Sequence, residues 1–310
     1  VVLPDPTQDT ARYLSVRYSM PAWLVEIWMQ TYGTEAAVAA CAAYDRQAPT
    51  TLRVNTLKTT REALIERLGK TGFVVTPHPT IPDALTVLDG PPPARSKFFT
   101  EGHFLLSDMA SMLPPHLLEP QPGDRVLDLC AAPGVKTTHL AQLAGGQTFV
   151  VALDVHANKL GLIRENAGRL GLDGIAVACG DGTRPPVASV FDRVLLDAPC
   201  SGLGTLRRKP DLKWRVTPET PARMAALQGA LLRSAVDLCK NGGVIVYSVC
   251  TFSPEETDAV VDACVAEGRV EPEDGPEWMS LWKTQKGRYR TSPQDAELDG
   301  FFLTRLRKAF

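Results

Sequence analysis

Two cysteines in this chain follow strand-like apolar runs in the same way. Leu195-Leu196-Asp197-Ala198-Pro199-Cys200-Ser201-Gly202 closes one run, and Val246-Tyr247-Ser248-Val249-Cys250-Thr251-Phe252-Ser253-Pro254-Glu255-Glu256 closes another. If the two runs are neighbouring strands of a doubly wound sheet, their ends lie ~4.8 Å apart and both thiols face one cleft. Two thiols in one cleft suit covalent chemistry. C5 of a pyrimidine is too poor a nucleophile to take a methyl group unaided, but addition of a thiolate at C6 makes C5 enamine-like and able to attack a methyl sulfonium. Once C5 carries the methyl, its proton must leave before the thiolate is eliminated. Buried cysteines usually serve as small hydrophobes, and Cys41, Cys179, Cys239 and Cys264, in apolar helical or strand stretches, are read that way. Ser253 to Glu256 has the pattern of a capping box, which would set Cys250 in a short turn before a helix N-terminus, where the dipole favours thiolate.

A second group of residues suits a cationic nucleoside cofactor. Asp128-Leu129-Cys130-Ala131-Ala132-Pro133-Gly134-Val135-Lys136-Thr137-Thr138 turns a strand into a helix through small residues. It has neither the glycine triplet of a dinucleotide loop nor the Gly-Lys of a P-loop. Asp154 ends the next strand, where an acid accepts hydrogen bonds from a ribose diol, and Asp181 follows the third, placed to take an adenine amino group. Each acid alone reads as a helix cap or turn residue. Three of them at successive strand ends beside a glycine turn imply an adenosine-bearing cofactor, S-adenosylmethionine rather than NAD because the glycine triplet is missing.

The surrounding elements fit this placement. Alternating strand and helix patterns, with strands at 125–129, 148–154, 175–179, 190–197 and 243–248, predict a mostly parallel α/β sheet with ligands outside the carboxyl ends of its strands. Before it, helical spacing recurs up to residue 44, with Trp23 and Ile27, and Leu24 and Trp28, read as core pairs. Strands at 50–55, 73–75 and 85–88, with a helix opened by Thr59-Thr60-Arg61-Glu62, form a small β-α-β-type unit. The expected division is 1–48, a helical segment; 49–100, a small α/β unit; and 101–310, the catalytic domain. The acidic stretch 271–277 reads as a solvated loop.

Composition excludes several classes. With 310 residues, 44% apolar and a net charge of −2, the chain is ordinary globular material, not a disordered or strongly basic one. Seven scattered cysteines indicate reduced thiols, and the five histidines show no zinc motif, so no metal is expected. Apolar runs such as 149–153 fall far short of the ~20 residues of a membrane span. Val1-Val2-Leu3-Pro4 is no signal peptide, so a cytoplasmic protein is expected.

The runs 128–138, 197–204 and 247–256 resemble the RNA (cytosine-5) methyltransferase family that includes bacterial Sun, also called RsmB. Arg207-Arg208-Lys209-Pro210-Asp211-Leu212-Lys213-Trp214 and Asp299-Gly300-Phe301-Phe302 resemble its bacterial rRNA members in particular. The resemblance implies a Rossmann-like class I methyltransferase sheet with a smaller N-terminal region, helical and then RRM-like, for binding RNA. It implies Cys250 as the nucleophile, Cys200 as the group assisting release of the methylated base, and Asp197 on the cytosine edge. It also implies Asp154 on the cofactor ribose, Asp181 near the adenine, and Cys130, Ala131, Ala132, Pro133, Gly134, Lys136, Lys159 and Asp197 around the cofactor. Position alone favours Cys200, since DNA cytosine methyltransferases use a Pro-Cys cysteine. The second cysteine at 250 decides for the RNA family. Val135, Val249 and Ser107-Asp108 depart from the family pattern without removing a reacting group, and the chain begins about where an extra helical RNA-binding domain would end.

Near-neutral charge requires any RNA surface to be local. Arg207, Arg208 and Lys209 with Trp214, just beyond Cys200, are the expected phosphate and base contacts. Arg53, Lys58, Arg95 and Lys97 are further candidates. C6 of a stacked cytosine is inaccessible, so the target is expected to be unpaired or flipped. The reading is therefore a monomeric RNA cytosine-5 methyltransferase acting on 16S rRNA. Its alternatives are a tRNA methyltransferase, a non-catalytic RNA-binding assembly factor and, more remotely, a nicotinamide oxidoreductase.

Overall fold

A computed structural model describes residues 3–188, 190–294 and 298–309, so Val1 and Val2 of the opening run lie outside the described residues. Three helices come first: α1 (Thr10–Arg17), α2 (Ala22–Tyr32) and α3 (Thr34–Tyr44). They close a core of Leu14, Leu24, Trp28, Cys41 and Tyr44 over Leu203, Leu206 and Val216 of the catalytic region. Trp28 stacks on Tyr44 at 5.5 Å and meets Phe252 at 5.1 Å, so the helices grip the loops that follow both cysteines.

A small unit follows: β1 (Thr50–Val54), α4 (Arg61–Gly69), β2 (Val74–Pro77), β3 (Ala84–Asp89), α5 (Lys97–Thr100) and β4 (Phe104–Leu106). Thr60 caps α4 by accepting from the Ala63 N–H. The strands form an antiparallel sheet in the order β2-β3-β1-β4, the β-α-β-β-α-β pattern of ferredoxin-like folds. The sequence reading missed β4, so this sheet runs past the boundary expected at residue 100. Leu52 and Val54 pack towards Leu64, Leu68 and Phe104. On the same strand Arg53 is buried, its guanidinium donating to the Val135 carbonyl and, at 3.0 Å, to Thr138 Oγ1. An RRM stacks bases on an open sheet face. Here β1 is buried from Thr51 to Val54, so Arg53 is a fastening to the catalytic domain and not an RNA contact. Lys58 is exposed and donates to the carbonyls of Glu101 and Arg169. Arg95 and Lys97 remain exposed.

The larger domain comprises α6 (Leu113–Leu118), β5 (Arg125–Asp128), α7 (Val135–Leu143), β6 (Phe149–Asp154), α8 (Leu160–Leu170), β7 (Ile175–Cys179) and β8 (Phe191–Asp197). Then come α9 (Leu212–Arg215), α10 (Thr220–Leu238), β9 (Cys239–Val249), α11 (Asp258–Ala266), β10 (Val270–Pro272), β11 (Lys283–Gln285), β12 (Arg288–Thr291) and β13 (Phe301–Lys308). The sheet order is β11-β12-β13-β9-β8-β5-β6-β7, with β10 paired to β13. Strands β9, β8, β5, β6 and β7 are mutually parallel, and β13 adds antiparallel to β9. The acidic stretch read as a solvated loop is partly strand β10: Glu273 binds Arg305 and Arg307, and Asp274 accepts from the Gly287 N–H. Val249 is buried in the core beneath α10 and α11, so its departure from the family pattern lies away from the cleft.

The two domains share a core, since Ile81, Ala84 and Leu105 pack with Leu113, Leu140 and Val126. They also share a buried carboxylate. Asp83, just before β3, lies 2.9 Å from His116 Nε2 on α6 and 2.7 Å from His139 Nε2 on α7. Among the described residues, no helix is long and apolar enough to cross a membrane.

Candidate active site

Adjacent parallel strands bring the two cysteine loops together. Asp197 on β8 is in register with Ser248 on β9, and the Ser248 hydroxyl donates to Asp197 Oδ1 at 2.8 Å. Three residues beyond Asp197 and two beyond Ser248, the Cys200 and Cys250 sulfurs are 3.2 Å apart. The Cys200 thiol is pushed well above its usual range, first by its hydrogen bond to Cys250 and then by burial, so it keeps its proton. Lys136, from the first turn of α7, donates to Asp197 Oδ2 at 2.7 Å and lies 5.4 Å over the Phe301 ring. Burial alone would lower this ammonium, but Asp197 outweighs it and raises the lysine above its usual value.

The loop after Cys250 is not the helix start that the capping pattern suggested. α11 begins at Asp258, and Glu256 accepts instead from the Ser201 N–H at 2.8 Å, the Ser201 hydroxyl at 2.5 Å and the Gln228 amide at 3.1 Å. The carboxylate that should have capped a helix ties the two cysteine loops together. A dipole argument for a Cys250 thiolate therefore does not hold at this position. Gly204 completes the tie: its N–H donates to the Cys250 carbonyl at 2.9 Å, its carbonyl accepts from Gly300, and an added Cβ would stand 1.8 Å from the Gly300 oxygen. Ser201, Gln228, Ser248 and Glu256 escaped assignment because their partners lie far away in the sequence. Ser201, Ser248 and Glu256 did fall inside the motif runs, whereas Gln228, inside α10, carries no local signal.

Beside this cleft, four carboxylates converge on Cys130. Its thiol is raised by burial and then by Asp128, Asp154, Asp197 and Asp181, in that order. Asp128 is buried; Thr137 donates to its Oδ2 at 2.6 Å, whereas Oδ1 has no hydrogen-bond partner. Burial pushes the Asp128 carboxyl up to about 7 against the Thr137 hydrogen bond, with Asp197 adding to the rise. Asp154 accepts from the Ala132 N–H at 2.9 Å and from the His156 N–H at 2.8 Å, bonds that outweigh its burial and lower it. Asp181 is exposed in a turn closed by Thr183. Gly134 takes φ +95°, and a side chain there would meet the Ile163 backbone at 3.0 Å. Of the other expected cofactor residues, Ala131 is buried, Ala132 half-buried, and Pro133 and Lys159 exposed. Four carboxylates around Cys130, one with an unpartnered oxygen, beside Lys136 suit a cationic sulfonium cofactor.

The basic run divides. Arg207 and Arg208 donate to the two oxygens of buried Asp299 at 2.5 and 2.6 Å, and Arg208 also donates to the Pro49 carbonyl. The Arg207 side chain is 2% exposed and that of Arg208 26%, and both guanidiniums are spent on Asp299, so they act as structural groups rather than open phosphate contacts. Lys209 is exposed, and Trp214 is 66% exposed.

Residues 115–307 match the family model for the 16S rRNA methyltransferase RsmB/F, and residues 20–94 match its ferredoxin-like domain. The chain belongs to the RsmB/F methyltransferase family. An RsmB/F relative from Synechocystis, named a probable ribosomal RNA small subunit methyltransferase B, is 38% identical over 305 residues, covering 96% of this chain and 68% of that one. A human 28S rRNA (cytosine(4447)-C(5))-methyltransferase is 33% identical over 313 residues, covering 95% of this chain and 38% of its own. The crystal structure of NSun6 from Pyrococcus horikoshii with SFG, an S-adenosylmethionine analogue, superposes with a TM-score of 0.84 at 25% identity. It covers 94% of this RsmB/F chain and 98% of that chain.

Proposed function

We propose that this chain transfers a methyl group from S-adenosylmethionine to C5 of an unpaired cytosine in RNA, with 16S rRNA in the cytoplasm as its substrate. The observation that carries the reading is the 3.2 Å contact between Cys200 and Cys250 beside the Lys136–Asp197 pair. Asp154, Asp181 and the turn from Cys130 to Gly134 would hold the cofactor, with Lys159 at its rim. When bound, S-adenosylmethionine supplies an electrophilic methyl group for C5. Asp197, fixed by Lys136 and Ser248, accepts from the cytosine amino group and orients the ring. The Cys250 thiolate adds to C6 and gives C5 its nucleophilic character. After methylation the C5 proton leaves to solvent, and the carbon–sulfur bonding pair returns to Cys250. Cys200, which keeps its proton, donates a hydrogen bond to the departing thiolate. The relatives' names favour ribosomal RNA over tRNA, and the intact thiol pair favours an enzyme over a non-catalytic assembly factor.

The test is transfer of labelled methyl to naked small-subunit rRNA, assembled subunits and bulk tRNA, with nucleoside analysis. Label in 5-methylcytidine on the ribosomal substrate is expected. Cofactor binding without label on any RNA would overturn the reading.

A further inference from the structure

A second concave site opens on the far side of the nucleophile loop. Helices α2 and α3, residues 251–252 and the chain from Arg290 to Gln294 enclose about 320 Å³, at the small end of ligand pockets. Tyr32 and Phe252 present aromatic surface there, Ala36 and Ala40 leave room between them, and Ser292 and Gln294 add polar groups. The Tyr32 hydroxyl donates to the Phe252 main-chain carbonyl at 3.0 Å, tying α2 to the loop after Cys250. Two features tie this pocket to the catalytic cleft. Thr251 and Phe252 directly follow Cys250, so Phe252 lies within about 7 Å of chain from the nucleophile. Phe301 lines the pocket and also lies beneath the Lys136 ammonium.

We infer that this pocket binds the base of a nucleotide next to the target cytosine, an inference that rests on the RNA reading above. A target base turned into the cleft must part from its neighbour, which loses a stacking partner. Aromatic side chains replace such stacking in single-stranded RNA recognition, and hydrogen-bonding groups at the rim read base edges. Tyr32 and Phe252 provide the first, and Ser292 and Gln294 the second. The pocket thereby holds the strand in register while selecting sequence beside the methylated position.

The probe is a five-nucleotide single-stranded RNA with a central cytosine and 2-aminopurine on its 5′ or 3′ side, bound without cofactor. On wild-type protein, 2-aminopurine fluorescence is expected to be quenched on one side only. Ala40→Trp, which fills the pocket, and exposed Tyr32→Ala should each lose that quenching and weaken binding about tenfold. Absence of quenching on both sides, or equal quenching and affinity in folded variants, overturns the subsite. Binding is read separately from turnover. Side-specific quenching without 5-methylcytidine would defeat only the methylation reading, and methylation without quenching would defeat only the subsite.

Discussion

The Cys200 and Cys250 sulfurs share a hydrogen bond across 3.2 Å, and the surroundings of Cys200 hold its thiol well above the usual range. Cys200 is enclosed by the loop that Glu256 fastens through Ser201, with Glu256 and Asp197 both opposing charge on its sulfur. A thiol held neutral beside a nucleophilic sulfur can stabilise that sulfur as an anion without competing with it for the ring.

Substitution should separate the two sulfurs. Cys250→Ala is expected to lower methyl transfer by more than roughly a thousandfold, since Cys200, the other thiol at the site, keeps its proton and is a poor nucleophile. Cys200→Ala should still permit addition and methylation but slow elimination by roughly a hundredfold, trapping protein on RNA as a band that survives denaturing electrophoresis. An adduct from Cys250→Ala and none from Cys200→Ala would reverse the assignment.

The carboxylate pocket predicts a pH-dependent cofactor affinity. With Asp128 at about 7 in the protein alone, a bound cation favours its ionised form, so binding releases a proton below that pH. Affinity for S-adenosylmethionine should rise as pH increases towards 7, by up to about tenfold per unit, and then level off. Calorimetry in buffers of different ionisation enthalpy would read the released proton, and Asp128→Asn should abolish it. A pH-independent wild-type affinity between 5.5 and 7 would show that Asp128 is not coupled to the cofactor.

Local patterns made the central sheet legible. Strand β7 falls on the residues its apolar run indicated, and Asp197 ends β8 with Cys200 in the loop just beyond it. Local patterns say less where a side chain's partner is distant. Phe301–Lys308 carries Arg305 and Arg307, charges that look foreign to a central strand until Glu119 and Glu273 are placed beside them. The Ser253–Glu256 pattern is a sound capping signal by itself, but Ser201 competes for the same carboxylate and wins from a strand away. Arg207 reads as a phosphate contact only while Asp299 is unseen.

The division of the basic run can be measured. Arg207→Gln leaves buried Asp299 with one guanidinium fewer and should cost about 3–5 kcal/mol of stability, while barely changing the salt dependence of RNA binding. Lys209→Gln should leave stability unchanged and, if it meets one phosphate, reduce the slope of log affinity against log salt by about 0.7. Thermal unfolding with RNA titrations at several salt concentrations would read both. A large change in salt slope for Arg207→Gln would restore it as an RNA contact.

The interdomain carboxylate makes a prediction about acid stability. Burial drives His139 down to about 3, beyond what Asp83 restores, and the Arg53 guanidinium adds to the fall, while the His116 ring stands edge-on at 4.8 Å. In the unfolded chain His139 takes up a proton near its ordinary 6.5, so between about 6.5 and 3 the unfolded state binds one proton more than the folded state. The contribution is complete above 6.5 and declines as pH falls, by about 1.4 kcal/mol per unit. Asp83, held below its usual value of 3.8 because the two histidines overcome its burial, contributes stability that is lost only at lower pH. Denaturant unfolding from pH 4.5 to 7 should therefore show a steeper loss for wild type than for His139→Gln, the difference amounting to one proton. Parallel profiles would mean that His139 is not the group whose protonation loosens the small domain.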